Sequence, residues 1–353
     1  DIDWLRFKYE QPWCKETPHV LVMKRNGRPE TIVAGEIKPL PIQFQIGYKR
    51  WQGLSLRTLF IHRYGIMGPQ NEEFWSNLGG YLEWMLLESQ VEAVLCRDFD
   101  VASAPYSLDF VHLPWPCRYK TTIVQEHWYL KDEDGIRGHR RRHKNFWRQF
   151  RKNAHRIKNR FGEYPQVVCY REPEALANLL RHTEEVAQKT WQRRLGAQSF
   201  ASQEVKDRYT HFLARGLLKG HLLYINGGLP VAFFHGIEYV GKFYAEVMGY
   251  DPNHKQEGVG TYLMGKLFEI LLENHDQTYT IDFGVGNSQA KSRYCDSYFS
   301  AADRYMVAPT SRAMALNTLR VIFLVFHLSL KRMLAKGGIY QKVRSAWRYG
   351  TRN

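Results

Sequence analysis

Acidic residues are in short supply in this chain, both overall and locally. Asp and Glu number 35 against 50 Lys and Arg, a formal net charge of +15 over 353 residues. Between Arg137 and Arg160, eleven Lys or Arg stand without one acid. Such a balance points to anionic partners: the phosphates of a cofactor, nucleic acid, or an acidic membrane surface. Cysteine is scarce as well. Cys14, Cys96, Cys117, Cys169 and Cys295 are odd in number and contain no close pair, which excludes a disulfide framework and a cysteine zinc site. Reduced thiols in a cytoplasmic setting are the expectation. No uninterrupted apolar run reaches the roughly 18 to 20 residues of a membrane span, no cleavable signal opens the sequence, and neither an internal repeat nor a low-complexity tract is visible.

What is present suits a packed protein: 44% hydrophobic and 14% aromatic residues exclude long disorder. The length favours two domains of roughly 100 to 200 residues each. Val20 to Lys24, Glu30 to Val33, Leu56 to Ile61, Val91 to Cys96 and Thr121 to Val124 read as strands. Phe74, Leu78, Leu82, Met85 and Leu86 share one stripe of a helix over Glu72 to Ser89. Phe146, Phe150, Ala154, Ile157 and Phe161 form a second stripe with a basic exterior and leave Trp147 outside it. Further helices are expected over Glu174 to Trp191 and, from a Ser202 cap, to Leu218. His221 to Ile225, Val231 to Glu238 and Phe243 to Tyr250 then predict an antiparallel meander, followed by a helix with Val259, Leu263, Leu267, Ile270 and Leu271 on one face and a strand over Thr278 to Phe283.

At the junction of meander and helix stands Lys255-Gln256-Glu257-Gly258-Val259-Gly260, which resembles the R/Q-x-x-G-x-G/A pyrophosphate loop of GNAT acyltransferases. The physics agrees: glycines let backbone approach phosphates, and free N–H groups at a helix start donate to them. Asp282-Phe283-Gly284-Val285-Gly286-Asn287 and Lys291 look like a stretch of the CelD-like, cellulose-biosynthesis-type acetyltransferases, with Ala290 where that family has tyrosine. The resemblance implies an α/β (α+β) chain of tandem GNAT-like domains, with a mixed, mostly antiparallel sheet flanked by helices. A degenerate domain over 1–130, a catalytic one over 131–310 and a basic helical tail over 311–353 would follow. It also implies direct transfer from acyl-CoA or acetyl-CoA, with no metal, to an amine of a sugar, lipid or other envelope precursor. FemAB-type transferases, similar in pairing GNAT-like domains, take an aminoacyl group from tRNA and supply one rival reading. A degenerate, non-catalytic binding module is another.

Acyl transfer to an amine needs a base, donors for the oxyanion and an acid for the thiolate. Asp282 sits in an apolar strand, where an ionised carboxylate must be paired or used. Glu246 shares a face with Tyr244 and Met248, opposite Phe243, Ala245 and Val247. With Tyr294 as thiolate acid these are the catalytic candidates. Lys255, Gln256, Glu257, Gly258, Val259, Gly260 and Thr261 are the cofactor-binding ones, and Trp191, Arg194, Lys291 and Gly286 are expected at the acceptor. His235 reads as a satisfied buried histidine. In the tail, Met314, Leu316, Leu319, Ile322, Phe323, Phe326 and Leu330 form an apolar stripe among cations. Either an anionic membrane surface, at the inner face of the membrane, or the catalytic domain is expected to cover it.

Overall fold

The computed structural model describes residues 2–46, 49–102, 112–118, 123–190, 193, 199–273, 279–286 and 291–336. Helix α1 (Ile2–Glu10) precedes β1 (Thr17–Arg25), β2 (Arg28–Ile46), β3 (Lys49–Met67), α2 (Glu72–Leu87) and β4 (Ala93–Asp100). Next come β5 (Gln125–Asp132), α3 (Gly135–Arg142), α4 (Lys144–Phe161), β6 (Gln166–Tyr170), α5 (Leu176–Lys189) and α6 (Gln203–Ala214). A second meander, β7 (Leu218–Ile225), β8 (Leu229–Tyr239) and β9 (Lys242–Tyr250), leads to α7 (Val259–Glu273), β10 (Tyr279–Val285), β11 (Ser297–Val307) and α8 (Ser311–Lys336).

These elements fold into two compact units, and neither is one stretch of chain. The first comprises Tyr9–Gln125 and Ser300–Asn353, the second Asp1–Lys8 and Glu126–Phe299. In the first, β1, β2 and β3 form an antiparallel meander, β4 runs parallel to β3 beyond α2, and β11 closes the sheet antiparallel to β4. In the second, β6 to β9 are antiparallel, β10 runs parallel to β9 beyond α7, and β5 closes antiparallel to β10. Meander, helix, parallel strand and antiparallel closing strand thus occur twice, a repeat that the sequence conceals.

The local signals are physical. Asn71 Oδ1 accepts from Phe74 N–H (2.8 Å) to start α2, and Ser202 Oγ accepts from Val205 N–H (3.4 Å) to start α6. Helix α6 ends at Ala214, short of the expected Leu218, because Leu218 already belongs to β7. The strand expected over Thr121–Val124 begins instead at Gln125, and residues 121–122 lie outside the described ones.

The second unit has a core on each face of its sheet. On one side Phe146, Phe150 and Ile157 of α4 and Val259, Leu263 and Leu267 of α7 pack together. On the other, Leu179 and Val186 of α5 meet Val205, Phe212 and Leu213 of α6. Burial on both faces is why Leu222 to Ile225 of β7 and Val231 to Phe234 of β8 are apolar runs rather than alternations. Trp147 also belongs to the core: it is 2% exposed, and its Nε1 donates to His139 Nδ1 at 3.1 Å. The basic helix therefore keeps no spare aromatic for stacking on bases. Phe150 lies against Trp147 and stacks on Tyr262 at 5.1 Å between centroids. Phe150→Ala is expected to cost about 3–5 kcal/mol, read as a lower urea midpoint with an unchanged slope.

Candidate active site

A bulge in β9 organises the site. His235 of β8 pairs with Val247 and Gly236 pairs with Ala245, so Glu246 is an extra residue with no partner in the ladder. The alternation expected for this strand breaks there. Phe243 and Ala245 face the α4/α7 core, Val247 faces the α5/α6 core, and Tyr250 returns to the α7 side beside Gly260. On its other edge, β9 pairs with β10 only from Lys242↔Thr280 to Tyr244↔Asp282. Beyond that point the two parallel strands part. Glu246 and Asp282 stand at the opening, each the first carboxylate past or at the last pair.

The carboxylates have specific partners. Asp282 Oδ1 accepts from Gly284 N–H at 2.8 Å and lies 2.7 Å from His127 Nε2. His127, on β5, is 1% exposed and its ring stacks on Phe299 at 4.6 Å. Sequence reasoning missed His127: the only signal was that Asp282 required a partner, and that partner is 155 residues away. Glu246 lies 3.5 Å from Arg208 of α6. Burial pushes its carboxyl above the usual range, and Arg208 only partly opposes this. His235 is satisfied on both nitrogens, by Thr183 Oγ1 and Tyr209 Oη at 3.1 Å each. Burial, with His221 nearby, lowers its pKa to about 3.

Three other expectations change. Tyr294 is 5% exposed among Phe146, Phe268 and Phe283, and burial pushes its phenol pKa well up. Its ring packs within the aromatic core. Lys291 Nζ donates to the carbonyls of Phe283, Gly284 and Val285 at 2.7, 3.1 and 3.1 Å. Those bonds occupy the three donors of an ammonium, so Lys291 fastens the end of β10 instead of meeting an acidic substrate. Gly286 N–H donates to Glu126 O at 2.9 Å, so its part is likewise in the backbone turn. Trp191 and Arg194 lie outside the described residues. Their neighbour Arg193 pairs with Glu184.

The loop before α7 is held from behind by the basic helix. Asn153 Nδ2 donates to Gly258 O at 3.2 Å, and Arg160 pairs with Glu257, which is 4% exposed. The one acid in the loop is thus neutralised and turned inward, while Lys255 and Gln256 are exposed. Gly258 has φ +73° and a Cβ there would lie 2.2 Å from Asn153 Nδ2, so any side chain at 258 disturbs the fold itself. At Gly260 the nearest atom to a Cβ is the Tyr250 ring, 3.0 Å away. The amides of Val259, Gly260 and Thr261 open the helix with no acceptor within it, which suits a phosphate. Among the described residues, no group of His, Cys, Asp or Glu is placed to hold a metal.

Residues 144–292 match the family model described as acetyltransferase (GNAT) domain, a span that holds the second meander, the bulge, the loop and α7. Over that span the sequence is identified as a GNAT acetyltransferase domain. Among solved structures, the likeness to FemX supports the fold. FemX is similar over 84% of this chain and 94% of its own at 10% identity, TM-score 0.52. L-PGS from Bacillus licheniformis is similar over 92% and 97% at 12% identity, TM-score 0.47. A tandem GNAT protein from the clavulanic acid biosynthesis pathway is similar over 84% of each chain at 10% identity, TM-score 0.48. No curated protein matches the sequence. The protein is a transferase of mixed α/β architecture, with a mostly antiparallel sheet flanked by helices.

Within this GNAT domain Glu246 has a testable electrostatic signature. Its pKa is raised on folding, so the stability it contributes is full below the ordinary glutamate range and is lost as pH rises through the raised value. A glutamine has no such loss. Glu246→Gln is expected to raise the melting temperature relative to the parent at pH 7 to 8, with the difference vanishing near pH 4 and turnover falling at every pH. A variant less stable at pH 8 than the parent would show that the ionised carboxylate is held by Arg208 for structure.

Proposed function

We propose that the protein is an acyl-CoA-dependent N-acyltransferase, and that the parting of β9 from β10 beside a glycine loop at the start of α7 is the observation that carries this reading. The backbone of Gln256 to Thr261 would hold the pyrophosphate, with Lys255 exposed beside it. A coenzyme A thioester supplies the activated acyl group when bound. The fit rests on the side-chain-free backbone at Gly260, packed close against the Tyr250 ring, and on the inward turn of Glu257 onto Arg160.

The acceptor side follows from the alternation. Ile281 and Phe283 belong to the α4/α7 core, so Asp282, with His127 and its stacking partner Phe299, lies on the opposite face. An amine entering there loses its proton to a carboxylate as the C–N bond forms and the C–S bond breaks, and the thiolate takes up a proton. Asp282, supported by His127, is the base in this reading, and Glu246, raised by burial, is the second carboxylate at the gap. Direct transfer is favoured over an acyl-enzyme, because Cys295, the thiol within electrostatic range of Asp282, is buried and its pKa is pushed up, away from the reactive thiolate. The likeness to CelD-type acetyltransferases supports an amine on a sugar, lipid or other envelope precursor as the acceptor. The fold shared with FemX and the cationic face of α4 favour one rival donor, an aminoacyl-tRNA of the kind FemAB-type transferases use.

Calorimetry with coenzyme A separates the donors. The parent is expected to bind it, and Gly260→Val, judged folded by circular dichroism, is expected to bind at least tenfold more weakly. Equal affinities would remove the loop from the site, and absence of binding by the parent together with binding of aminoacyl-tRNA would establish the rival. For the base, Asp282→Asn is expected to lower kcat at least a hundredfold, within the range of general-base catalysis, while coenzyme A affinity stays within threefold. His127→Asn should lower kcat less and move the acid limb of the pH–rate profile. An unaltered kcat in Asp282→Asn would return both residues to a structural hydrogen bond.

A further inference from the structure

Helix α8 is apolar on two sides, and the fold uses only one of them. Ala313, Asn317 and Val321 are buried, Asn317 Nδ2 donates to Pro116 O at 2.8 Å, and Phe323 packs on Phe44 of β2 at 5.1 Å. The stripe expected from the sequence thus divides: Phe323 turns to the first unit's sheet, while Leu319, Ile322 and Phe326 turn away from it. They are 42%, 59% and 54% exposed, and Met333, two turns beyond Phe326 along the same line, is 66% exposed. Spacings of three, four and seven residues put these side chains on one helical face. Within Ser311–Leu334 an 18-residue stretch has a mean hydropathy of 1.7, long and apolar enough to cross a membrane, yet only 22% of that stretch is buried. The sequence conceals this because Asn317, Arg320 and His327 interrupt the run.

A crossing helix would have to give lipid its whole circumference. Here one side is committed to protein, through Asn317 and through Arg320, whose guanidinium lies 4.7 Å over the Tyr305 ring. What remains is a half-cylinder of large apolar side chains. Charge then selects its occupant. From Ser311 to the last residue the chain contains no Asp or Glu and nine Lys or Arg, and Lys331 and Arg332, at the end of the apolar face, are exposed. Trp51, 46% exposed, stands opposite Phe44 in the β2–β3 ladder and so on the sheet face that α8 covers. An amphipathic ring beside an apolar helix with cationic flanks is the composition of a surface that lies in the headgroup layer.

We propose that the exposed face of α8, centred on Ile322 and Phe326, docks the protein onto an anionic lipid bilayer, with its axis in the membrane plane and Lys331 and Arg332 on the headgroups. The full chain is expected to sediment with vesicles of phosphatidylcholine plus phosphatidylglycerol and to be released by added salt, since exposed charge pairs are screened. Vesicles of phosphatidylcholine alone should retain far less. The double variant I322E/F326E, whose side chains are exposed and leave the core intact, should bind the anionic vesicles at least tenfold more weakly with an unchanged circular dichroism spectrum. The pair K331E/R332E should lose the preference for anionic over neutral vesicles. Sedimentation of I322E/F326E equal to the parent overturns the proposal. So does a parent that ignores both vesicles, or one that is a dimer by analytical ultracentrifugation and becomes monomeric in I322E/F326E, since a second copy would then cover the face.

Discussion

Everything at the candidate site depends on a sheet that stops pairing part-way. A parallel pair normally continues as long as both strands do, because each step adds backbone hydrogen bonds. In the second unit β9 runs on to Tyr250 and β10 to Val285, yet their pairing ends at Tyr244 and Asp282. The insertion at Glu246 accounts for the divergence from one side, since a bulge bends its strand and deepens its twist. From the other side, Lys291 gathers the carbonyls of three successive residues at the end of β10, satisfying backbone groups that would otherwise face the gap bare. The result is a pair of strand ends bordered by backbone and carboxylates that no longer pair with each other.

The sequence made the second meander, its two following elements and the glycine loop legible, because short strands with turn residues and a clean helical period are local signals. Asp282 could be singled out by the cost of a charge in an apolar strand. What local reading cannot supply is the other half of such an argument. His127 arrives from β5, Arg208 from α6 and Arg160 from α4, each set in place by tertiary pairing and by no spacing along the chain. Alternation also misled at one point. Period-two reasoning holds only while the ladder is regular, and one extra residue at Glu246 exchanges the faces of Val247 and Tyr250. Tyr294 and Lys291 were drawn toward the chemistry by resemblance, whereas aromatic packing and carbonyl capping decide their places.

Doubling of the architecture is equally invisible in the residues. The first unit repeats the meander, helix, parallel strand and closing strand with different side chains: where the second has a glycine loop before α7, the first begins α2 with an Asn71 cap. Two units that share this order of elements can therefore bear different chemistry, since topology is fixed by which faces are apolar and function by a few polar groups at the parted strands.

The interleaving of the two units has a consequence for synthesis. The first unit's strand β4 meets its last neighbour, β11, only when residues after Ser300 have been made. Until then the ribosome holds out a four-stranded sheet whose open side is an unpaired row of amides and carbonyls, a template for any passing strand. The second unit, by contrast, has all its strands from Glu126 to Phe299 in hand earlier. The chain is thus one whose beginning finishes folding last, and fragments that stop before β11 are prone to aggregate.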